Sequence, residues 1–209
     1  MLSGAGRRNV IPEVTGLPAL AWTSSPGRVA YDAAENTLTL TAAPGVDWSN
    51  DSLWGGQQHR ASALGFTAPP SFSLSARVMV LSPRTTFDAG VLSLWADTDH
   101  WAKLCFEYSP HEEAMVVSVV TNTYSDDSNA HLVPGPWTYL RVSRIGPAWA
   151  FHSSANGLYW CFVRLFRLHT HKPVHVGFMS QAPMGERCVA RFDRIEFSAR
   201  PPADLRDGS

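Results

Sequence analysis

Trp101, Lys103 and Glu107 alternate along His100 to Tyr108 (HWAKLCFEY), and an indole, an ammonium and a carboxylate on one side of a strand can hold a polar ligand or move a proton. In an extended chain successive side chains point to opposite faces. These three therefore share a face with Cys105, while Ala102, Leu104, Phe106 and Tyr108 form the apolar one. Lys103 and Glu107 stand roughly 13 Å apart at their Cα atoms, a gap that two long side chains can narrow around a small ligand. The same spacing also suits a solvated sheet face with ordinary charges. Trp101 offers an aromatic face to the CH groups of a sugar, or simply packs. Glu107 with His152 offers general acid or base chemistry, and Lys103 or an arginine would stabilise developing negative charge.

Further residues join this set if the central strands share one lining. Arg141 and Arg164 can hold a carboxylate or phosphate with two parallel hydrogen bonds, or pair with Glu107 or with Asp126 and Asp127. Asn122 and Gln181 supply amides, and Asp88, Trp54, His59, Ser125, Asp126 and Asp127 fall on loops that would form a rim. His152 on a strand can equally be structural. His169 and His171 have the spacing of two metal ligands on one face, yet Lys172-Pro173 interrupts the element, and a solvated turn is expected. Asp126 and Asp127 with Asn122 and Asn129 carry the oxygens that Ca²⁺ takes, without an EF-hand spacing, so an Asx-rich turn is expected there. Neither a metal nor a cofactor is expected. No Gly-x-Ser-x-Gly elbow or Gly-rich phosphate loop occurs, which leaves nucleophilic hydrolysis and nucleotide binding without support.

The elements that must position these groups are strands. In 209 residues, 44% are hydrophobic and 17% charged, with 8 Trp and 10 Phe, which describes one domain with a large core. The formal net charge of -1, without a run of Lys or Arg, lacks the basic footprint of a nucleic-acid partner. No apolar run is long enough to span a bilayer. Three cysteines without Cys-x-x-Cys spacing and the absence of an export-like segment lead to the expectation of a cytoplasmic protein.

Residues 1–16 and 200–209 lack periodicity and are expected to be loosely held, with the domain at 17–199. Between these limits short β-branched and aromatic runs recur, punctuated by Pro, Gly, Asn and Asp, and no amphipathic helix longer than two turns is predicted. Phe72, Leu74, Ala76, Val78 and Val80 alternate cleanly with Ser71, Ser73, Ser75, Arg77 and Met79, as in a strand with one dry face. Gly146-Pro147 and Asn156-Gly157 predict tight connections in a three-strand meander over 138–168. The chain reads as all-β, two packed antiparallel sheets.

The blocks DAGVLSLWADTDHWAKLCFEYS, SVVTNTYSDD, LRVSRIGPAWAFHSSANGLYW and VGFMSQAPMGERCVARFDRIEF follow one another after TAAPGVDWSNDS, which holds Asp47 and Trp48. Together they resemble a domain-of-unknown-function family that includes regulation-of-enolase-like proteins, within the concanavalin A-like lectin/glucanase superfamily. The resemblance implies a concanavalin-like jelly-roll β-sandwich of two curved antiparallel sheets, with a concave groove on which superfamily relatives bind or cleave glycans. The paired-carboxylate pattern Glu-x-Asp-x-x-Glu of the glucanases does not occur on any predicted strand.

Three functions follow as expectations. One is binding of a small-molecule, carbohydrate-like ligand in the groove, with Trp101 stacking and Lys103, Glu107, Arg141 and Arg164 fixing orientation. Another is a cofactor-independent isomerase, cyclase or lyase, with Glu107 or His152 moving protons in the same pocket. The third is a regulatory module that docks a protein partner. The oligomeric state stays open.

Overall fold

Stretches that alternate apolar and polar residues become strands, and no α-helix interrupts them among the described residues. The computed structural model describes residues 10–81, 83–206 and 208–209. The strands are β1 (Ala21–Trp22), β2 (Arg28–Asp32), β3 (Thr37–Ala42), β4 (Trp48–Asn50), β5 (Gln57–His59), β6 (Ala63–Thr67), β7 (Ser71–Leu81) and β8 (Ala89–Asp97). They continue with β9 (His100–Tyr108), β10 (Ala114–Asn122), β11 (Tyr124–Leu132), β12 (Trp137–Ile145), β13 (Ala148–Ser154), β14 (Cys161–Phe166), β15 (His175–Gln181) and β16 (Cys188–Ser198).

Two seven-stranded antiparallel sheets form a sandwich, in the orders β1-β6-β15-β8-β9-β10-β11 and β14-β13-β12-β7-β16-β3-β2. The core lies between them. Leu92, Leu104, Phe106, Val120 and Phe178 of the first sheet meet Leu38, Phe72, Leu74, Leu140, Phe151 and Phe192 of the second, nearly all without solvent contact. Each such side chain contributes on the order of 1.5–3 kcal/mol by leaving water.

The first sheet is buried on its other face too. There the β4–β5 hairpin closes over Ala63, Ala89, Val91, Trp101, Cys105, Val117, Val119 and Met179, and Trp48 seats among them as a second apolar cluster. This explains why β8 reads as a nearly continuous apolar run and why β9 is buried on both faces even at Lys103: a sheet covered on both sides has no fully wet face. Gly65 and Gly177 face each other across β6 and β15, where a methyl group on Gly177 would run into the Leu64 carbonyl oxygen and the Gly65 Cα.

Three local expectations are corrected. The segment around Asp126 and Asp127 is not a turn but the strand β11, paired with β10 from Met115 to Asn122 and exposed along nearly its whole length. As an edge strand it needs no apolar face, and its charges discourage pairing with another chain. The hairpin β4–β5, in a stretch rich in Asn, Asp and Gly, was likewise not predicted. Asn156-Gly157 does not close a two-residue turn; residues 155–160 form a longer loop, with Gly157 at φ 76° and the Asn156 carboxamide oxygen accepting from the Leu158 and Tyr159 N–H groups. Gly146-Pro147 does make the short connection between β12 and β13.

Of the N-terminal segment 1–16, residues 1–9 lie outside the described residues, and Val14 is buried in the core. Part of the C-terminal segment folds back onto the second sheet, as its contacts with Arg141 and His152 show below.

Candidate functional site

A cavity of about 240 Å³ opens on the face of the first sheet turned away from the core. β9 gives Lys103 and Glu107 to it, β10 Val117 and Val119, β11 Ser125, Asp127 and Asn129, and the last residue of β15 gives Gln181. Register brings these together: Glu107 stands opposite Ala89 and Met115, Lys103 opposite Ser93 and Val119, and Gln181 opposite Ala89. Small residues on β8 leave room for the long side chains. Asp47, Trp48 and Ser49 close the cavity from above, and Phe87, at φ 66°, completes the wall.

The roof is tied to the sheet by buried polar groups. The Asn50 amide donates to the carbonyl oxygens of Thr98 (2.9 Å) and Thr123 (2.8 Å), and the Asn50 N–H donates to Ser125 Oγ (3.0 Å). Trp48 Nε1 donates to the Ala61 carbonyl oxygen at 3.1 Å, and the indole lies 4.6 Å from Trp95 and 5.9 Å from Trp101 between ring centroids.

Lys103 is almost entirely buried and donates to Asp47 Oδ1 (2.8 Å), the Trp48 carbonyl oxygen (2.8 Å) and Gln181 Oε1 (3.0 Å). Burial is the largest influence and works against its charge, but Asp47 together with Cys105 and Glu107 outweighs it and raises the pKa. Gln181 in turn donates through Nε2 to the Phe87 carbonyl oxygen (2.9 Å) and to Glu107 Oε2 (3.3 Å). Burial pushes Glu107 up to about 7, with Lys103 opposing and Asp47 and Asp127 adding to the rise. Asp127, at the mouth, is raised as well, first by partial burial and then by its acidic neighbours. A carboxyl group that titrates near neutrality beside a second carboxylate can accept hydrogen bonds from a polyol or exchange a proton with it.

Residues 22–200 match the family described as "Protein of unknown function (DUF1349)". The chain belongs to this family. Among solved structures, the DUF1349 chain is similar to a functionally unknown protein from Saccharomyces cerevisiae: 25% identical, with 86% of this chain and 95% of that one covered, at a TM-score of 0.76. It shares its fold with xylan beta-1,4-xylosidase from Bacillus halodurans C-125, 14% identical over 78% of this chain, TM-score 0.63, and spans 33% of that enzyme. It also shares its fold with the alginate lyase from Klebsiella pneumoniae, 12% identical, covering 81% and 83% of the two chains, TM-score 0.52. No curated protein matches the chain.

The expected lining of this DUF1349 protein is only partly assembled. Lys103, Glu107 and Gln181 meet in the cavity, with Ser125 and Asp127. Trp101 lies beneath Trp48 and against His59 with no solvent contact, so it has no free face for a ligand. Arg141 and His152, directly opposite each other on β12 and β13, belong to the outer face of the second sheet. Their inward neighbours Leu140, Val142 and Phe151 fill the core, and alternation turns these two the other way. There Arg141 donates to the Gly208 carbonyl oxygen and His152 Nε2 to that of Leu205, both at 2.7 Å. The common hollow predicted for Glu107 and His152 is therefore corrected.

Arg164 forms a 2.8 Å ion pair with Asp126 where β14 passes β11, outside the cavity. Asn122 donates to the Arg167 carbonyl oxygen and accepts from the His169 N–H, which fixes the connection after β14. Asp88 is fully buried and accepts from the Thr85 N–H at 2.8 Å; it shapes the loop that presents Phe87 but does not line the cavity. Trp54 is 99% exposed between β4 and β5 and lines a separate surface hollow with Tyr124. Asp47, Trp48 and Phe87 were not singled out by their chemistry; an Asp-Trp pair in a turn-rich stretch carries no periodic signal. Among the described residues no group of three or more His, Cys, Asp or Glu is placed to hold a metal ion, and no helix is long and apolar enough to cross a membrane.

Proposed function

We propose that the protein, through a single domain at about 17–199, binds a small polyhydroxylated ligand, a sugar or sugar-like metabolite, in the cavity between β9, β11, β15 and the β4–β5 hairpin. The observation that carries this reading is the lining. Acceptors from Glu107, Asp127, Ser125, Asn129 and Gln181 alternate with apolar walls from Trp48, Phe87, Val117 and Val119. A sugar presents the matching surface of hydroxyl groups and CH faces. At about 240 Å³ the cavity is smaller than sites for drug-sized ligands and suits one sugar ring. Sharing a sandwich with a xylosidase and an alginate lyase supports the ligand class at the level of fold. The likeness to regulation-of-enolase proteins rests on the sequence blocks and adds no site of its own.

Calorimetric titration with a panel of neutral monosaccharides tests the reading. At least one is expected to bind, and Asp127→Ala is expected to weaken it about tenfold without changing the unfolding midpoint. Absence of binding across the panel at millimolar concentration would refute it.

A second reading is favoured by Glu107 itself: a carboxyl group raised to about 7 inside a cavity suits proton transfer in an isomerase or lyase. Glu107→Gln would then abolish turnover while retaining the ligand, whereas a pure binding protein would show only a modest loss of affinity.

A further inference from the structure

A lysine ammonium carries three hydrogen-bond donors, and in Lys103 all three are spent within the protein, on Asp47, the Trp48 carbonyl and Gln181. Among the described residues Lys103 is the one cation lining the cavity, and it is thus unavailable to a ligand. Two other cations act on the cavity's carboxyl groups from outside it, and both are held elsewhere. Arg164 is paired with Asp126, and Arg84 lies over the rings of Phe106 (4.6 Å) and Tyr108 (5.0 Å) and donates to the carbonyl oxygens of Asp88 and Phe106. Against this stand three acidic residues in the lining, Asp47, Glu107 and Asp127, of which only Asp47 has Lys103 as a direct ion-pair partner.

We infer that the cavity selects by charge: it takes neutral or amine-bearing sugars and rejects acidic ones such as uronates and sugar phosphates. The inference deepens the sugar-binding reading and rests on it. An anionic ligand would need a donor-rich cation, the role of a free Lys or Arg, and would instead meet Asp127 at the exposed mouth and then Glu107, whose burial leaves charge weakly screened. A hydroxyl or ammonium group can donate to those carboxylates with no rearrangement of the Lys103 network. Burial and the neighbouring acids already push the Glu107 carboxyl up, which is the response of a site that disfavours further negative charge.

The test uses two matched series on the full chain, glucose, glucosamine and glucuronate, and galactose, galactosamine and galacturonate, with binding followed by NMR at low ionic strength. In whichever series binds, the acid is expected to be at least tenfold weaker than the neutral sugar, and the amine at least as tight. In the doubly substituted Glu107→Gln, Asp127→Asn protein that gap is expected to shrink to threefold or less, because its cause is charge. Three results would overturn the inference. An acid binding as tightly as its neutral counterpart removes it and leaves the sugar-binding reading intact. A gap that survives the double substitution shows steric rejection and removes it likewise. Failure of every sugar in both series removes it together with the sugar-binding reading.

Discussion

Glu107 should make the protein less stable as the pH rises. Its folded pKa is about 7, against 4.5 for the free side chain, so between those values the folded protein keeps a proton that the unfolded chain has lost. The stabilising contribution is complete below pH 4.5 and is lost as the pH climbs through about 7. At about 1.4 kcal/mol per pH unit, the interval amounts to about 3 kcal/mol. Glu107→Gln replaces the carboxyl with a neutral group of the same shape, whose oxygen can still accept from Gln181 Nε2. Above pH 7.5 the variant should therefore be more stable than the parent by about 2–3 kcal/mol, or about 4–12 °C in Tm for a chain of this size. Near pH 5 the two should nearly coincide. Urea unfolding followed by tryptophan fluorescence from pH 5 to 8.5 measures both curves. The reasoning fails if they run parallel across that range, or if the parent is the more stable protein at pH 8.

Lys103→Met should cost about 3–5 kcal/mol, since it leaves Asp47, the Trp48 carbonyl and Gln181 without their shared donor; a loss under 1 kcal/mol by chemical denaturation would show that the lysine does not tie roof to floor. Gly177→Ala should lower stability by at least about 3 kcal/mol, because its methyl group would meet backbone that cannot swing aside, while Gly56→Ala, where nothing lies within 4 Å, serves as the control. Similar thermal melts for the two alanine variants would contradict this.

The parts of the fold legible in the sequence are those in which one face of a strand is dry. Phe72, Leu74, Ala76 and Val78 all turn into the core, and β7 spans the whole of the predicted alternation. β11 was hidden for the opposite reason: at a sheet edge, YSDDSNAHL satisfies its backbone on one side only and carries polar groups on both faces, so it has the composition of a turn. Alternation also placed Lys103 and Glu107 on one face, and Gln181 joins them through the pairing of β15 with β8. What it could not decide is which sheet's outer face a polar residue belongs to. Arg141 and His152 satisfy the same local pattern as Lys103, yet they lie on the other side of the core. Asp47 escaped because its contact with Lys103 spans 56 positions and depends on the path of a loop.

The tip of the β4–β5 hairpin is separable from the cavity that it stands beside. The sheet that supplies Lys103, Glu107 and Gln181 is locked by the core, whereas the stretch from Asp51 to Gly56 between β4 and β5 is largely exposed and is stitched down mainly at its shoulders, by Asn50 and by the Ser52 hydroxyl on the Ser125 carbonyl. That stretch can be lengthened, shortened or exchanged with little consequence for folding. Because it lines the outer hollow beside Tyr124 and not the cavity, loops grafted there would reshape that outer surface and leave the Lys103 and Glu107 site beneath untouched.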